Sequence, residues 1–152
     1  MTVTLREITG TNEQAVRALR TTHHQERFVS TVATSLREAE ENPQGKPWQR
    51  AVYADDVPVG FVMLSWDLDP VPPGFLGPWF LWKLLVAHQH QGRGYGREVV
   101  GQIVDLVRAN GGTELLTSHV PGGGGPLDFY TRLGFVPRGD AHDGEPILRR
   151  AL

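Results

Sequence analysis

From Trp79 to Ala87 the chain is apolar except for Lys83, and it runs directly into His88-Gln-His-Gln-Gly-Arg-Gly-Tyr-Gly-Arg97. Such a continuous run marks a strand buried on both faces, near the centre of a sheet. From Gly94 to about Ala109 the period becomes helical: Val100, Ile103, Val104 and Val107 share one face, and Asn110-Gly111-Gly112 supplies the stop. A buried strand, a glycine-rich turn and a helix in that order aim several backbone N–H groups at one point. The positive end of the helix dipole adds to them. Glycines let the backbone approach a phosphate closely and take positive φ, and Arg93 and Arg97 bring charge suited to a diphosphate. No Lys-Ser or Lys-Thr pair follows the glycines, which excludes a P-loop. Arg97 stands where a dinucleotide-binding fingerprint needs its third glycine. A tight turn with no ligand uses glycines equally well, so the reading of this segment depends on its surroundings.

Before it, Val3, Leu5 and Ile8 alternate in an opening strand, and a helix is predicted from Thr11 or Asn12 with Ala15, Val16 and Leu19 on one face. A second helix is predicted over Gln25 to Glu41, where Phe28, Val32, Leu36 and Ala39 form a stripe. Trp48 to Ala54 and Val57 to Trp66 flank Asp55-Asp56 and predict an antiparallel hairpin. Asp69 to Pro78 holds four prolines and two glycines and reads as a loop. After the central helix come a strand at Glu114 to Val120, a glycine loop at Pro121 to Pro126, and a short helix at Leu127 to Leu133 closed by Gly134. Two last strands cover Phe135 to Arg138 and Pro146 to Leu152. The order β-α-α-β-β-β-α-β-α-β-β is that of a mixed α/β domain, expected to span residues 1–152 as one unit.

With 39% hydrophobic and 21% charged residues, the chain can build a core. A formal charge of -2 with scattered arginines gives no footprint for nucleic acid. There is no cysteine, which excludes disulfides and thiolate metal sites, and His23-His24 and His88-Gln-His90 do not supply the convergent ligands of a zinc site. No metal is expected. The first residues carry charge and no apolar signal core, and no apolar stretch is long enough to span a bilayer. A cytoplasmic protein without a membrane partner is expected, and monomer and homodimer both stay open.

Gln91-Gly-Arg-Gly-Tyr-Gly96 resembles the Q/R-x-x-G-x-G/A signature of the GNAT N-acetyltransferase superfamily. Phe129-Tyr-Thr-Arg-Leu-Gly-Phe135 is similar to its second landmark, and the two stand in the family's order and separation. The resemblance implies a mostly antiparallel mixed sheet with helices on both faces. Its fourth and fifth strands, Trp79–Ala87 and Glu114–Val120, would run parallel and splay apart to admit the pantetheine arm of acetyl-CoA. It further implies that the backbone of Leu84, Leu85 and Val86 meets that arm. Gln91, Gly92, Arg93, Gly94, Tyr95, Gly96 and Arg97 would hold the pyrophosphate, Arg132 would join the cofactor-binding set, and Tyr130 would protonate the departing thiolate. The sequence departs from the family at Gly123, where an asparagine often stands. Shorter likenesses at Gln25-Glu-Arg-Phe-Val29, Ala51-Val-Tyr-Ala-Asp-Asp56 and Asp143-Gly-Glu145 resemble bacterial spermidine and diamine N-acetyltransferases.

The general base is open at this level. Trp82 and Lys83 stand where some relatives carry a glutamate. His119 is the titratable candidate on the strand bordering the splay, although alternation with Ser118 leaves its direction undecided. Relay through water to Asp67, Asp69 or Glu26 is an equal candidate. Trp48, Trp66, Trp79 and Trp82 fit an acceptor pocket or a core, and the Pro70–Gly77 loop fits a cover or a plain connection. The expected activity is acetyl transfer from acetyl-CoA to a primary amine of a small molecule, polyamine-like or an amine-bearing antibiotic. The competing readings are a protein N-terminal or lysine acetyltransferase and a non-catalytic CoA-binding sensor.

Overall fold

The structure, a computed structural model, describes residues 2–152. Its strands are β1 (Val3–Arg6), β2 (Pro47–Ala54), β3 (Val57–Ser65), β4 (Phe80–Val86), β5 (Glu114–Ser118), β6 (Val136–His142) and β7 (Glu145–Ala151). Its helices are α1 (Glu13–Arg17), α2 (Val32–Glu41), α3 (Tyr95–Ala109) and α4 (Leu127–Arg132). The strands form one sheet in the order β1-β2-β3-β4-β5-β7-β6, so β4 lies at its centre. Only the β4–β5 pair is parallel; the other neighbours are antiparallel.

Strand alternation sorts the core onto two faces. On one, Val62, Leu64, Leu81 and Leu115 pack with Val99, Ile103 and Val107 of α3 and with Tyr130 of α4. On the other, Phe61, Met63 and Leu85 pack with Val16 of α1 and with Val32, Leu36 and Ala39 of α2. Fully burying each such side chain is worth about 1.5–3 kcal/mol, so both helical layers are held chiefly by this contact.

The hairpin at Asp55-Asp56 forms as expected, with Asp55 at φ 52. The second helix is shorter than its apolar stripe predicts. Thr31 takes an extended conformation and its side chain accepts from the Thr34 N–H at 3.2 Å, so the cap starts α2 at Val32. Gln25–Arg27 is only a 3-10 turn, and Phe28 stands outside any helix. The sixth strand runs on to His142 and is exposed along nearly its whole length. It pairs with β7 alone, so no apolar alternation announces it. Loop 69–78 returns its Phe75 ring to Gly45, so close that a Cβ there would lie 2.8 Å from it and 3.3 Å from Trp82.

β4 and β5 pair at two positions only, Phe80↔Leu116 and Leu81↔Thr117. Beyond them β4 continues to pair with β3 as far as Gly60↔Val86 while β5 turns to β7. The central strands therefore fork, and the half-burial of Lys83, Leu84 and Val86 follows from the open side.

Candidate active site at the fork of β4 and β5

A cleft of about 830 Å³ occupies the fork. In an antiparallel pair both backbone groups of a residue point to the same side, and neighbours alternate. The Ala87 N–H donates to the Val59 carbonyl at 2.8 Å, so Ala87, Leu85 and Lys83 address β3. Leu84 and Val86 therefore present their backbone to the fork. A bulge between Met63 and Leu64 of β3 places the extra residue on β4 at Trp82. Lys83 reaches α2, with its Nζ 3.0 Å from Glu38 Oε2 and 3.0 Å from Ser30 Oγ.

One end of the cleft is the turn into α3. Gly92 and Gly94 sit at φ 78 and φ 82, a region that costs a side-chain-bearing residue about 1–2 kcal/mol. A Cβ at either glycine would meet nothing within 4 Å, so both face open space. Glu98 N–H bonds the Gly94 carbonyl, which leaves the Gly96 and Arg97 N–H groups without an intrahelical acceptor. Arg93, Arg97 and Arg132 are exposed, and none has an ion pair among the described residues. Gln91 braces the turn: its Nε2 donates to the Val86 carbonyl at 2.9 Å and to Gln25 Oε1 at 2.9 Å, and Gln25 Nε2 returns a bond at 3.0 Å. Tyr95 is buried in the core beside Val99 and Val100 and also borders the cleft.

The other end holds Tyr130, 7% exposed and lining the cleft. Its ring packs between Phe129, at 5.1 Å, and Phe135, at 5.3 Å. Phe129 in turn lies against the first turn of α3, where a Cβ on Gly96 would be 3.1 Å from the ring. Burial pushes the phenol up to about 12, and the Thr117 hydroxyl beside it offsets part of that rise. Thr117 Oγ1 donates to the Leu81 carbonyl at 2.9 Å, so it bonds across the last rung before the strands part.

A roof joins the two sides. In the 121–126 loop, a Cβ on Gly124 would lie 2.8 Å from His24 Nε2, and one on Gly125 would lie 3.0 Å from Phe28. The glycine run thus lets this loop close onto the 24–28 segment, whose Glu26 and Phe28 line the cleft. On the same rim Ser118 Oγ donates to Glu145 Oε1 at 3.0 Å.

A family model described as the acetyltransferase (GNAT) family matches residues 12–135. The chain belongs to that family. It is a GNAT acetyltransferase, with the half-paired parallel strands that the sequence resemblance implies. Among solved structures it is similar to the PaiA N-acetyltransferase of Thermoplasma acidophilum in complex with coenzyme A, at 13% identity and TM-score 0.68 over 100% of both chains. An aminoglycoside acetyltransferase in complex with coenzyme A matches at 18% identity and TM-score 0.75 over 99% of this chain and 95% of that one. An acetyltransferase of Thermus thermophilus matches at 20% identity and TM-score 0.67 over 100% and 98%. Among curated proteins no relative matches.

The GNAT cleft gathers Leu84, Leu85, Val86, Gln91, Gly92, Gly94, Tyr95, Gly96, Arg97, His119, Tyr130 and Arg132, while Arg93 borders a smaller recess beside Thr2 and Glu98. Of the acidic relay candidates, Glu26 lines the cleft and Asp67 and Asp69 do not. Trp82 lines it as well, whereas Trp79 sits in the core with Trp66 edge-on to it and Trp48 against Trp66. Loop 69–78 contributes no lining residue, and its Phe75 packs against Gly45. The sequence reading missed the Gln25–Gln91 amide pair, Thr117, and the contact of Ser118 with Glu145. Each joins residues distant in sequence, and no local pattern signals it. No group of three or more His, Cys, Asp or Glu placed to hold a metal occurs among the described residues, nor any helix long and apolar enough to cross a membrane.

Proposed function

We propose that this chain transfers the acetyl group of acetyl-CoA to a primary amine of a small molecule. The observation that carries the reading is the fork, with a phosphate-ready turn at one end and a buried phenol at the other. Open glycines, the free N–H groups of α3 and the cleft arginines Arg97 and Arg132 suit a pyrophosphate. The fork-facing backbone of Leu84 and the Val86 N–H suit the amides of a pantetheine arm, which would act as a false strand between β4 and β5. The thioester would then lie near Thr117 and Tyr130.

The amine attacks the thioester carbonyl, the C–N bond forms, and the C–S pair leaves with sulfur. Tyr130 delivers the proton to the thiolate. A phenol raised to about 12 stays protonated at neutral pH, which is the form an acid requires. The acceptor is a small cationic amine of polyamine or aminoglycoside type, and the enzyme works in the cytoplasm. The roof between the glycine loop and Phe28 supports a small acceptor, because it closes the groove a peptide would need.

The test is release of free thiol from acetyl-CoA by the purified chain against a panel of polyamines, aminoglycosides and lysine peptides. Turnover confined to small amines is expected. Faster turnover of peptides would support protein acetylation, and CoA binding with no turnover would support a sensor.

A further inference from the structure

We infer that Glu145 is the carboxylate that receives the acceptor amine and takes up its proton; this rests on the transferase reading above. Residues paired directly across neighbouring strands share a face. Thr117 pairs with Leu148, and Ser118 pairs with Ile147. Leu148 lies in the cluster of α3 and α4, so Thr117 shares the face of Tyr130. Ser118 and Ile147 face the opposite way, toward α1 and α2. Glu145 is two residues before Ile147 and meets Ser118, so it shares that second face. The His119 N–H donates to the Pro146 carbonyl at 3.3 Å, which continues the pairing one step and turns the imidazole to the side of Tyr130. Alternation that the sequence leaves open is thereby decided: the base candidate on the far side is Glu145.

Its surroundings suit the role. Glu145 lines the cleft and is half-buried. Ser118 fixes one carboxylate oxygen, and no cation pairs with Glu145 among the described residues. Glu26, the other carboxylate lining the cleft, has Arg20 at 3.9 Å. Glu38, the carboxylate nearest the centre of β4, is engaged by Lys83. Glu145 is therefore the lining carboxylate whose charge is not already countered. An ammonium approaching from the face of α1 and α2 meets it, while the acid waits across the fork.

The transfer then balances. Glu145 first takes one ammonium proton and passes it to solvent, which frees the nitrogen lone pair; that pair forms the new C–N bond and the C–S pair departs on sulfur. The surplus N–H proton passes to the free oxygen of Glu145, and the Tyr130 proton passes to sulfur. Solvent exchange afterwards takes the proton from Glu145 and restores the phenol.

The test uses the full chain with acetyl-CoA and the amine that wild type turns over fastest. Glu145→Gln keeps the shape and the Ser118 contact and removes the charge. Its kcat/KM for the amine is expected to fall by about 10²–10³-fold, with CoA affinity within about twofold of wild type. Glu145→Ala opens space for a small carboxylate, so added formate is expected to raise its rate at least about tenfold and to leave Glu145→Gln unaffected. Full activity in Glu145→Gln, or a loss in Glu145→Ala that formate does not relieve, would overturn the role. A wild-type chain that turns over no amine would instead defeat the transferase reading, and this inference with it.

Discussion

The Tyr130 phenol stands beside the Thr117 hydroxyl at the point where β4 and β5 part company. Thr117 bonds the last shared rung, and Tyr130 faces the first open one. A proton donor held there meets a thiolate emerging from the fork. Tyr130→Phe removes only the hydroxyl and keeps the aromatic packing with Phe129 and Phe135. Steady-state kinetics are expected to show kcat lower by about 10²–10⁴-fold with CoA affinity little changed. Unchanged kcat would remove Tyr130 from the chemistry.

The same burial makes stability depend on pH. The phenol ordinarily titrates at 10.0 and is raised to about 12 in the folded chain. Below pH 10 it is protonated folded or unfolded, so it contributes no slope. Between the two values the unfolded chain loses the proton first, and stability falls as pH rises. Across that window the loss is about 2–3 kcal/mol. Denaturant titrations from pH 8 to 12 are expected to show this fall in wild type relative to Tyr130→Phe. A difference curve flat through pH 12 would show the phenol to be unperturbed.

Much of this was legible in local pattern. The apolar run from Trp79, the glycines at 92, 94 and 96 and the four-residue recurrence after them specify β4, the turn and α3, because each signal lies within one element. The apolar stripe through Phe28 misled, because a side-chain cap at Thr31 outweighs periodicity and frees Phe28 to meet the glycine loop. The far half of β6 was invisible because an exposed edge strand needs no buried alternation. At the site, Gln91 was found by motif, but its hold on Val86 and Gln25 was not. The same is true of Glu145 and Ser118, since sequence spacing carries no record of which strands come together across a sheet.

Gly123 offers a gain-of-function test. It stands where relatives often carry asparagine, it has no positive φ, and a Cβ there would meet nothing within 4 Å. Gly123→Asn is expected to tighten CoA binding by about two- to tenfold, the worth of one net hydrogen bond. It should also stabilise the free chain by about 0.4–1 kcal/mol through the unfolded state. Calorimetric titration with CoA and thermal melts check both. Unchanged CoA affinity in a folded variant would place the cofactor away from this loop.

The most direct test of the fork as the acetyl-CoA site is residue-resolved amide hydrogen exchange with and without saturating CoA. Leu84 and Val86 present their N–H groups to the open side, whereas the Leu85 N–H addresses β3. CoA is expected to slow exchange at Leu84 and Val86 well beyond its effect at Leu85, as a pantetheine strand fills the gap. Saturating CoA that leaves Leu84 and Val86 exchanging at their unliganded rates would contradict the account.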